Sequence, residues 1–367
     1  MVSVPLVDLR AQHGEIADEV AAGFAQVLAE TAFIQGKAVT SFEEEYARFI
    51  GVGHCVGVAN GTDALELVLR ALDIGRGDEV VLPANTFVAT AEAVVRAGAT
   101  PVLVDVDPDH LLLDAEQALA ATGPRTRAIL PVHLYGQVAP VELLGPAVEG
   151  GVHLVEDAAQ AQGARRHGRA AGALGTAAGT SYYPGKNLGA YGDAGAVTTD
   201  DAGLARRVRR IANHGSEARY QHTEFGVNSR LDTLQAVVLS AKLARLAEWN
   251  AARRAAADRY AELLADAPGV RLPGPMAGNE HVWHLYVVRV ADRDRVLDAL
   301  HRAGVGAAVH YPTPVHLHRA FEDLGLRRGA FPISEQAAGQ ILSLPIGPHL
   351  SAGQQEQVAA ALRAATG

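Results

Sequence analysis

Of the 32 basic residues in this 367-residue chain, only Lys37, Lys186 and Lys242 are lysines. A lysine inside an ordered loop is therefore informative. Lys186 lies in one, Ser181-Tyr182-Tyr183-Pro184-Gly185-Lys186-Asn187-Leu188-Gly189, where a Pro-Gly turn presents its amine among small and apolar neighbours. An amine so placed can form a Schiff base with an aldehyde if its pKa is lowered enough to leave it partly neutral. The plain alternative is a solvated surface lysine. Three other segments carry residue types suited to the same chemistry. Glu156-Asp157-Ala158-Ala159-Gln160 follows an apolar run and offers a carboxylate at a strand end, or a helix cap. Asn60-Gly61-Thr62-Asp63 also follows an apolar run, and free N–H groups at a helix start suit a phosphate there. Asn60 serves equally as an ordinary cap. Gly226-Val227-Asn228-Ser229-Arg230-Leu231-Asp232 opens a Leu/Ala/Arg-rich stretch, for which Asn228 or Ser229 is a candidate cap.

Elements must hold these segments in place. Residues 9–30 carry Ile16, Val20, Phe24, Val27 and Leu28 at helical spacing. Ser41 with Glu44 three residues later matches a capping box opening a second helix. From residue 55, apolar runs at 55–59, 80–83, 102–106, 128–132 and 152–155 alternate with helical segments, the pattern of parallel βαβ units. Two more runs, 179–183 and 195–198, complete seven strands of one large α/β sheet. In such a sheet, ligands bind at the carboxyl ends of the strands, where the four segments above are placed. Residues 231–265 read as one long helix. Pro268, Pro273 and Pro275 then break the pattern. A strand at 284–290, a helix at 293–303, a proline-rich loop and a final helix make a small α+β domain. The expected division is 1–245 and 246–367.

Composition narrows the function. Hydrophobic residues form 49% and charged residues 20%, so the chain can build a core and is not disordered. A net charge of −9 disfavours an electrostatic nucleic-acid binder. One cysteine, Cys55, excludes an internal disulfide framework and a multi-cysteine zinc site. It begins an expected core strand, where a thiol is buried and inert, unlike the mobile nucleophile of a cysteine desulfurase. No run approaches the roughly 18 apolar residues of a membrane span. Asp8 and Arg10 interrupt the stretch a signal peptide would need, so a cytoplasmic protein is expected. Gly51-Val52-Gly53 precedes its strand, and the third glycine comes one residue late for a dinucleotide fingerprint. Gly179 and Gly185 have five residues between them, where a Walker loop has four, and Asn187 follows the lysine. Both nucleotide motifs are therefore disfavoured.

Residues 181–195 (SYYPGKNLGAYGDAG) and 155–161 (VEDAAQA), with the Asn60 and Asn228 segments, resemble the DegT/DnrJ/EryC1/StrS family of sugar aminotransferases, which use pyridoxal 5′-phosphate (PLP). The resemblance runs from Pro5-Leu6-Val7-Asp8-Leu9 to Leu344-Pro345-Ile346-Gly347-Pro348. It implies the aspartate-aminotransferase-like fold (fold type I), with a large domain built on a mostly parallel seven-stranded sheet. By the same resemblance Lys186 holds PLP and shuttles the proton, and Asp157 pairs with the pyridine nitrogen. Gln160 lies near the ring hydroxyl and Phe87 stacks on the ring, with ordinary core as the alternative for Phe87. Gly61, Thr62 and Ser181 contact the phosphate, and Asn228 reaches it from a neighbouring subunit of a homodimer. Asn60 and Tyr182 depart from the serine and phenylalanine common in the family.

The resemblance also implies glutamate as amino donor and a keto group on a nucleotide-linked sugar as acceptor. It is similar to the subgroup acting on dTDP-3-keto-6-deoxyhexoses in antibiotic amino-sugar biosynthesis, and the 4-keto subgroup shares every motif. His310-Tyr311-Pro312-Thr313-Pro314-Val315-His316-Leu317-His318 resembles the substrate-facing loop. Tyr183, His214, Tyr220, Arg230, His310 and Tyr311 are the candidate substrate contacts. These histidines lack the cysteine or acidic partners of a metal site, and no metal is expected. Sugar dehydratases of the same fold replace the lysine with histidine, so Lys186 speaks for transamination. Lys186, Asp157 and Gln160 together speak against a non-catalytic paralogue.

Overall fold

A computed structural model describes residues 3–367. Two helices lead, α1 (Leu9–Glu30) and α2 (Lys37–Ile50). The apolar runs then form β1 (His54–Val58), β2 (Glu79–Pro83), β3 (Thr100–Val104), β4 (Thr126–Ile129) and β5 (His153–Asp157). A short hairpin, β6 (Arg165–Arg166) and β7 (Arg169–Ala170), precedes β8 (Ala177–Ser181) and β9 (Gly195–Thr199). The main sheet has seven strands in the order β1-β9-β8-β5-β4-β2-β3. Only β9 runs antiparallel, against both β1 and β8, within this sheet. Helices cover it, which is why its strands read as nearly continuous apolar runs instead of alternating ones.

Helix α3 (Gly61–Ala71) packs across β8 and against α4 (Val88–Arg96). Glycine permits that approach. A Cβ on Gly179 would lie 2.7 Å from Leu65 Cδ2, and one on Gly61 would lie 2.6 Å from Ser181 Cβ. The start of α3 is thereby pressed against the end of β8.

Beyond the sheet, Val270–Arg271, Tyr286–Val290 and Ile341–Leu344 form a three-stranded antiparallel sheet, with helices Arg293–Arg302 and Ala352–Thr366. Its core includes Tyr260, Tyr286, Val288, Leu342, Leu344, Val358 and Leu362. Helix Pro332–Gln340 and the strand after it fall where the sequence suggests only loop. Among the described residues no helix is long and apolar enough to cross a membrane.

Two local expectations are corrected. Helix α2 starts at Lys37, four residues before Ser41, and has no side-chain cap. The Gly36 N–H instead donates to Thr233 Oγ1 at 3.1 Å, a tertiary contact that stands in for a local cap. The stretch 231–265 is two helices, Thr233–Leu243 and Leu246–Leu263. The turn between them lets Leu243 and Leu246 join one buried cluster, while Arg245 pairs with Glu19 of α1 at 3.0 Å. The cap of the first helix is Asp232, not Asn228 or Ser229.

Candidate active site

A cavity of about 430 Å³ opens at the carboxyl ends of the strands. Gly61 and Thr62, Phe87, Asp157 and Gln160, and Ser181, Tyr183 and Lys186 enter it from the main sheet side. His284, His310 and Tyr311 enter it from the C-terminal part. Thus six chain segments far apart in sequence meet here, and Lys186 is the one lysine among the residues lining the cavity.

The loop carrying Lys186 is closed on itself. Ala190 N–H donates to Tyr182 O at 2.8 Å, and Lys186 N–H donates to Tyr183 O at 2.8 Å. A Cβ on Gly189 would lie 2.3 Å from Pro184 O, so only glycine lets the loop fold this tightly. At its base, buried Lys242 Nζ donates to Gly189 O at 2.6 Å and lies 5.0 Å above the Tyr191 ring. Burial strips water from the Lys186 ammonium and brings its pKa down to about 8, against the opposing pull of Asp157. A substantial neutral fraction near physiological pH follows, as a Schiff-base lysine requires.

Asp157 ends β5 and is 6% exposed. Its Oδ2 accepts from Thr90 Oγ1 at 2.8 Å, and its Oδ1 accepts from the Ala159 N–H at 3.1 Å. Thr90 Oγ1 is itself 2.7 Å from Thr86 Oγ1. Burial raises the carboxyl's pKa, and these two hydrogen bonds and the Lys186 charge pull it back. The carboxylate therefore lacks a full counter-charge within the chain, and a cationic ring nitrogen in the cavity would supply it. Gln160 is held at both ends. Its Oε1 accepts from the Tyr135 N–H at 2.7 Å and its Nε2 donates to Tyr311 Oη at 3.0 Å. Tyr135 Oη donates in turn to His310 O at 2.7 Å, tying the two halves of the cavity together.

At the other end, Asn60 caps α3 by accepting from the Asp63 N–H at 2.8 Å. The ordinary-cap expectation for Asn60 is thus correct. It leaves the Gly61 and Thr62 N–H groups at a positive helix end beside Ser181. Phe87 is half exposed into the cavity, with its ring 5.2 Å from that of Tyr311.

The remaining candidates divide. Tyr183, His310 and Tyr311 line the cavity. His310 is hydrogen-bonded to Ser343 Oγ at 2.8 Å, and burial beside Lys186 lowers its pKa to about 4, so its ring is neutral. His214, Tyr220, Arg230 and Asn228 do not line this chain's cavity. Arg230 Nη1 donates to Asn213 Oδ1 at 3.0 Å. Tyr220, 82% exposed, lies at the tip of a small hairpin. Asn228 is exposed, while its neighbour Ser229 is fully buried and accepts from the Ala59 N–H at 3.1 Å. His316 bonds Glu335 at 2.9 Å, and no cluster of three metal-ligating side chains occurs among the described residues. The structure also brings in Thr90, Asn187, Asp193 and His284. Thr90 belongs to the Phe87 segment, one helical turn further on. His284 begins the strand expected at 284–290, and no local signal marks it.

Known proteins match this chain over nearly its whole length in sequence and in fold. The chain is 47% identical over 364 residues to the "Erythromycin biosynthesis sensory transduction protein EryC1" of Saccharopolyspora erythraea, covering 99% of this chain and 100% of that one. It is 46% identical over 361 residues to the "dTDP-3-amino-3,4,6-trideoxy-alpha-D-glucose transaminase" of Streptomyces venezuelae, covering 98% and 95%. The crystal structure of S. venezuelae DesV in complex with a ketimine intermediate superposes with a TM-score of 0.96 at 46% identity, covering 98% of each chain. A sequence profile of the DegT/DnrJ/EryC1/StrS aminotransferase family matches residues 15–363, and the chain belongs to that family.

Proposed function

We propose that this enzyme moves an amino group from glutamate to the 3-keto group of a dTDP-linked 6-deoxyhexose, in the cytoplasm, as a PLP-dependent step of amino-sugar biosynthesis. The carrying observation is Lys186, its pKa lowered to about 8, in one cavity with a buried Asp157 that has no full counter-charge. The residues fit PLP. Lys186 would bond its aldehyde, Asp157 would pair with its ring nitrogen, Phe87 would stack on its ring, and Gln160 would meet the ring hydroxyl. Gly61, Thr62 and Ser181 take its phosphate. Bound PLP supplies an electron sink for the carbon that loses a proton. Lys186 Nζ takes that proton and returns it, and the apolar wall of Leu65, Val132, Leu134 and Leu285 keeps bulk water from the exchange. Asp157 Oδ1 and Oδ2, steadied by Ala159 and Thr90, keep the ring nitrogen protonated.

On this reading the chain divides into a PLP-binding part, 1–245, and a smaller part, 246–367, whose loop at His310 and Tyr311 faces the sugar. Tyr183 joins them there. Two copies form a homodimer in which Asn228 of the partner subunit completes the phosphate site, with the exposed Tyr220 and His214 and the half-buried Arg230 reaching the sugar from the same region. Support for a covered face comes from Phe33, Ile34, Tyr220 and Phe225, which are 44%, 48%, 82% and 96% exposed. The Streptomyces relative bears a 3-amino sugar in its name, which favours C3 over C4. The regulatory name of the Saccharopolyspora relative does not displace this assignment, because a purely regulatory role gives no reason to retain Lys186, Asp157 and Gln160 together.

The test supplies purified enzyme with glutamate and either a dTDP-3-keto or a dTDP-4-keto 6-deoxyhexose, and locates the new amine by NMR. An amine at C3 is expected. An amine only at C4 moves the regiochemistry, and no amine from either sugar under any donor sinks the assignment.

A further inference from the structure

Leu285 lines two cavities, the candidate active site and a smaller one of about 30 Å³ between the main sheet side and the C-terminal part. The smaller one has room for about two water-sized groups, at roughly 10–15 Å³ each. Its buried polar atoms are donors. Gln137, 3% exposed, accepts at Oε1 from the Met276 N–H at 2.8 Å and from Asn279 Nδ2 at 3.2 Å. A backbone N–H can only donate, so the amide orientation is fixed and Nε2 presents its two hydrogens elsewhere. His281, 4% exposed, accepts at Nδ1 from the Trp283 N–H at 2.8 Å. Burial brings its pKa down to about 3, with the charge of His110 acting in the same direction, so the neutral ring carries its proton on Nε2. Trp283 stacks on that ring with centroids 3.9 Å apart and adds an indole N–H. Among the described residues, Gln137 Nε2, His281 Nε2 and Trp283 Nε1 have no hydrogen-bond partner. None of these three nitrogens is fully enclosed, and all three residues line the smaller cavity.

Two guanidinium groups share its wall. Arg271 and Arg289 stand directly opposite one another in the antiparallel strands Val270–Arg271 and Tyr286–Val290, so their side chains leave the same face. Like charges so placed repel. Burial lowers the Arg289 pKa, and Arg271 pushes it the same way. The chain answers these charges only in part. Arg271 pairs with the exposed Asp109, while Arg289 Nη2 donates to the Pro108 carbonyl at 2.7 Å and makes no ion pair among the described residues. Asp107, the other acid nearby, is occupied by the N–H groups of Asp109, His110 and Leu112.

We propose that this smaller cavity binds a small oxyanion, a phosphate or carboxylate group, between Arg271 and Arg289 and on the free N–H groups of Gln137, His281 and Trp283. Donors left without acceptors select an occupant that only accepts, and hydrogen bonds from guanidinium groups to an anion are the strong kind. The bound anion joins the main sheet side to the C-terminal part. Gln137 stands two residues beyond Tyr135, whose N–H and hydroxyl hold Gln160 and His310 O at the active site. Occupancy therefore braces the seam that forms one wall of that site. The smaller cavity does not contain Lys186, so the inference does not depend on the cofactor or sugar assignment.

The experiment titrates the full-length protein, saturated with PLP so that the cofactor's own phosphate site is filled, with inorganic phosphate and separately with acetate, by calorimetry. Low ionic strength is used because salt screens charges that solvent reaches. Saturable binding of one anion per chain is expected, with a Kd of about 1 mM or tighter for the better probe. Tighter phosphate binding identifies a phosphate-type ligand, and tighter acetate binding a carboxylate. Gln137→Glu keeps the Oε1 acceptor for Met276 and Asn279 and puts a carboxylate oxygen where the amide nitrogen was. It should weaken binding of the better probe by about tenfold or more while the thermal midpoint does not fall. Arg289→Gln should weaken it similarly. Binding of neither probe below about 10 mM overturns the proposal, as does unchanged affinity in folded Gln137→Glu. A wild-type crystal soaked in selenate decides the matter even if neither variant folds. An anomalous peak within hydrogen-bond distance of Gln137 Nε2 and His281 Nε2 is expected, and no peak there overturns the site. Such a failure leaves the aminotransferase reading untouched, since that stands or falls on the amine located by NMR.

Discussion

Burial drives Lys186 and Asp157 toward neutrality together, which moves one pKa down and the other up. For Asp157 the consequence for stability has a definite sign. A carboxyl with a raised folded pKa contributes its stability fully below its unfolded value, near 4, and loses it as pH rises through the folded one. At pH 7 the ionised side chain therefore burdens the cofactor-free protein. Asp157→Asn removes that burden. Its amide can still accept from the Ala159 N–H and can donate to Thr90 Oγ1, which then donates to Thr86. Calorimetry at pH 7 should find the cofactor-free variant at least as stable as wild type, while turnover falls by about 100-fold or more. Lower stability with wild-type turnover would instead make Asp157 a cap. Thr90→Val tests the group behind it. Thr90 is 1% exposed and its hydroxyl donates to Asp157, so the isosteric change should lower kcat by about tenfold with little effect on KM for the sugar. Unchanged kcat would show that the Ala159 N–H alone suffices.

At the scale of elements, the phosphate end depends on how closely α3 approaches β8. Asn60 caps the helix, and the missing side chain of Gly61 lets its first turn rest on Ser181. Gly61→Ala places a methyl where only 2.6 Å is free to Ser181 Cβ, on backbone-anchored atoms that cannot swing aside. The helix start must move away, and with it the N–H groups aimed at the phosphate. Equilibrium dialysis should show PLP affinity at least about tenfold weaker, and the band of any bound cofactor should remain because Lys186 is untouched. Wild-type affinity would place the phosphate elsewhere. The lysine loop has a comparable support from Lys242, whose buried Nζ holds Gly189 O from helix Thr233–Leu243.

For the whole molecule, the arrangement of Asn228 matters most. It lies outside the cavity of its own chain, although Ser229 beside it is pinned to the end of β1. If Asn228 of the partner subunit completes each site, mixing inactive Lys186→Ala with inactive Asn228→Ala chains builds one site with both defects and one with none. Activity should return to as much as about half the wild-type rate per dimer. Absence of recovery, with subunit exchange confirmed by mass spectrometry of tagged chains and both parents inactive, would mean that each site is built within one chain. The cavity also spans the main sheet and the C-terminal part, and Tyr135 bridges them through Gln160 and His310 O. Loss of any of these tethers would be felt at both ends of the site.

What the sequence by itself determined is whatever chemistry lies close along the chain. The Pro-Gly turn before Lys186, the carboxylate after an apolar run at Asp157 and the cap at Asn60 are all local, because strand ends and helix starts are written in consecutive residues. Seven apolar runs marked the seven main strands for the same reason. Tertiary structure decided what depends on contacts between distant segments. Thr90 meets Asp157 across 67 residues, His284 meets Asn187 across 97, and Gly36 is capped by Thr233 across 197. Local propensity placed the second helix four residues late and ran two helices together at Ala244 and Arg245, because neither boundary is set by the residues next to it. The same physics separates Tyr183, His310 and Tyr311, which packing turns into the cavity, from His214, Tyr220 and Asn228, which lie exposed outside it, and from Arg230, which is half-buried against Asn213. Periodicity and capping record what a segment prefers alone, whereas a hydrogen-bond network or a shared cavity exists only after long-range packing has brought its members together.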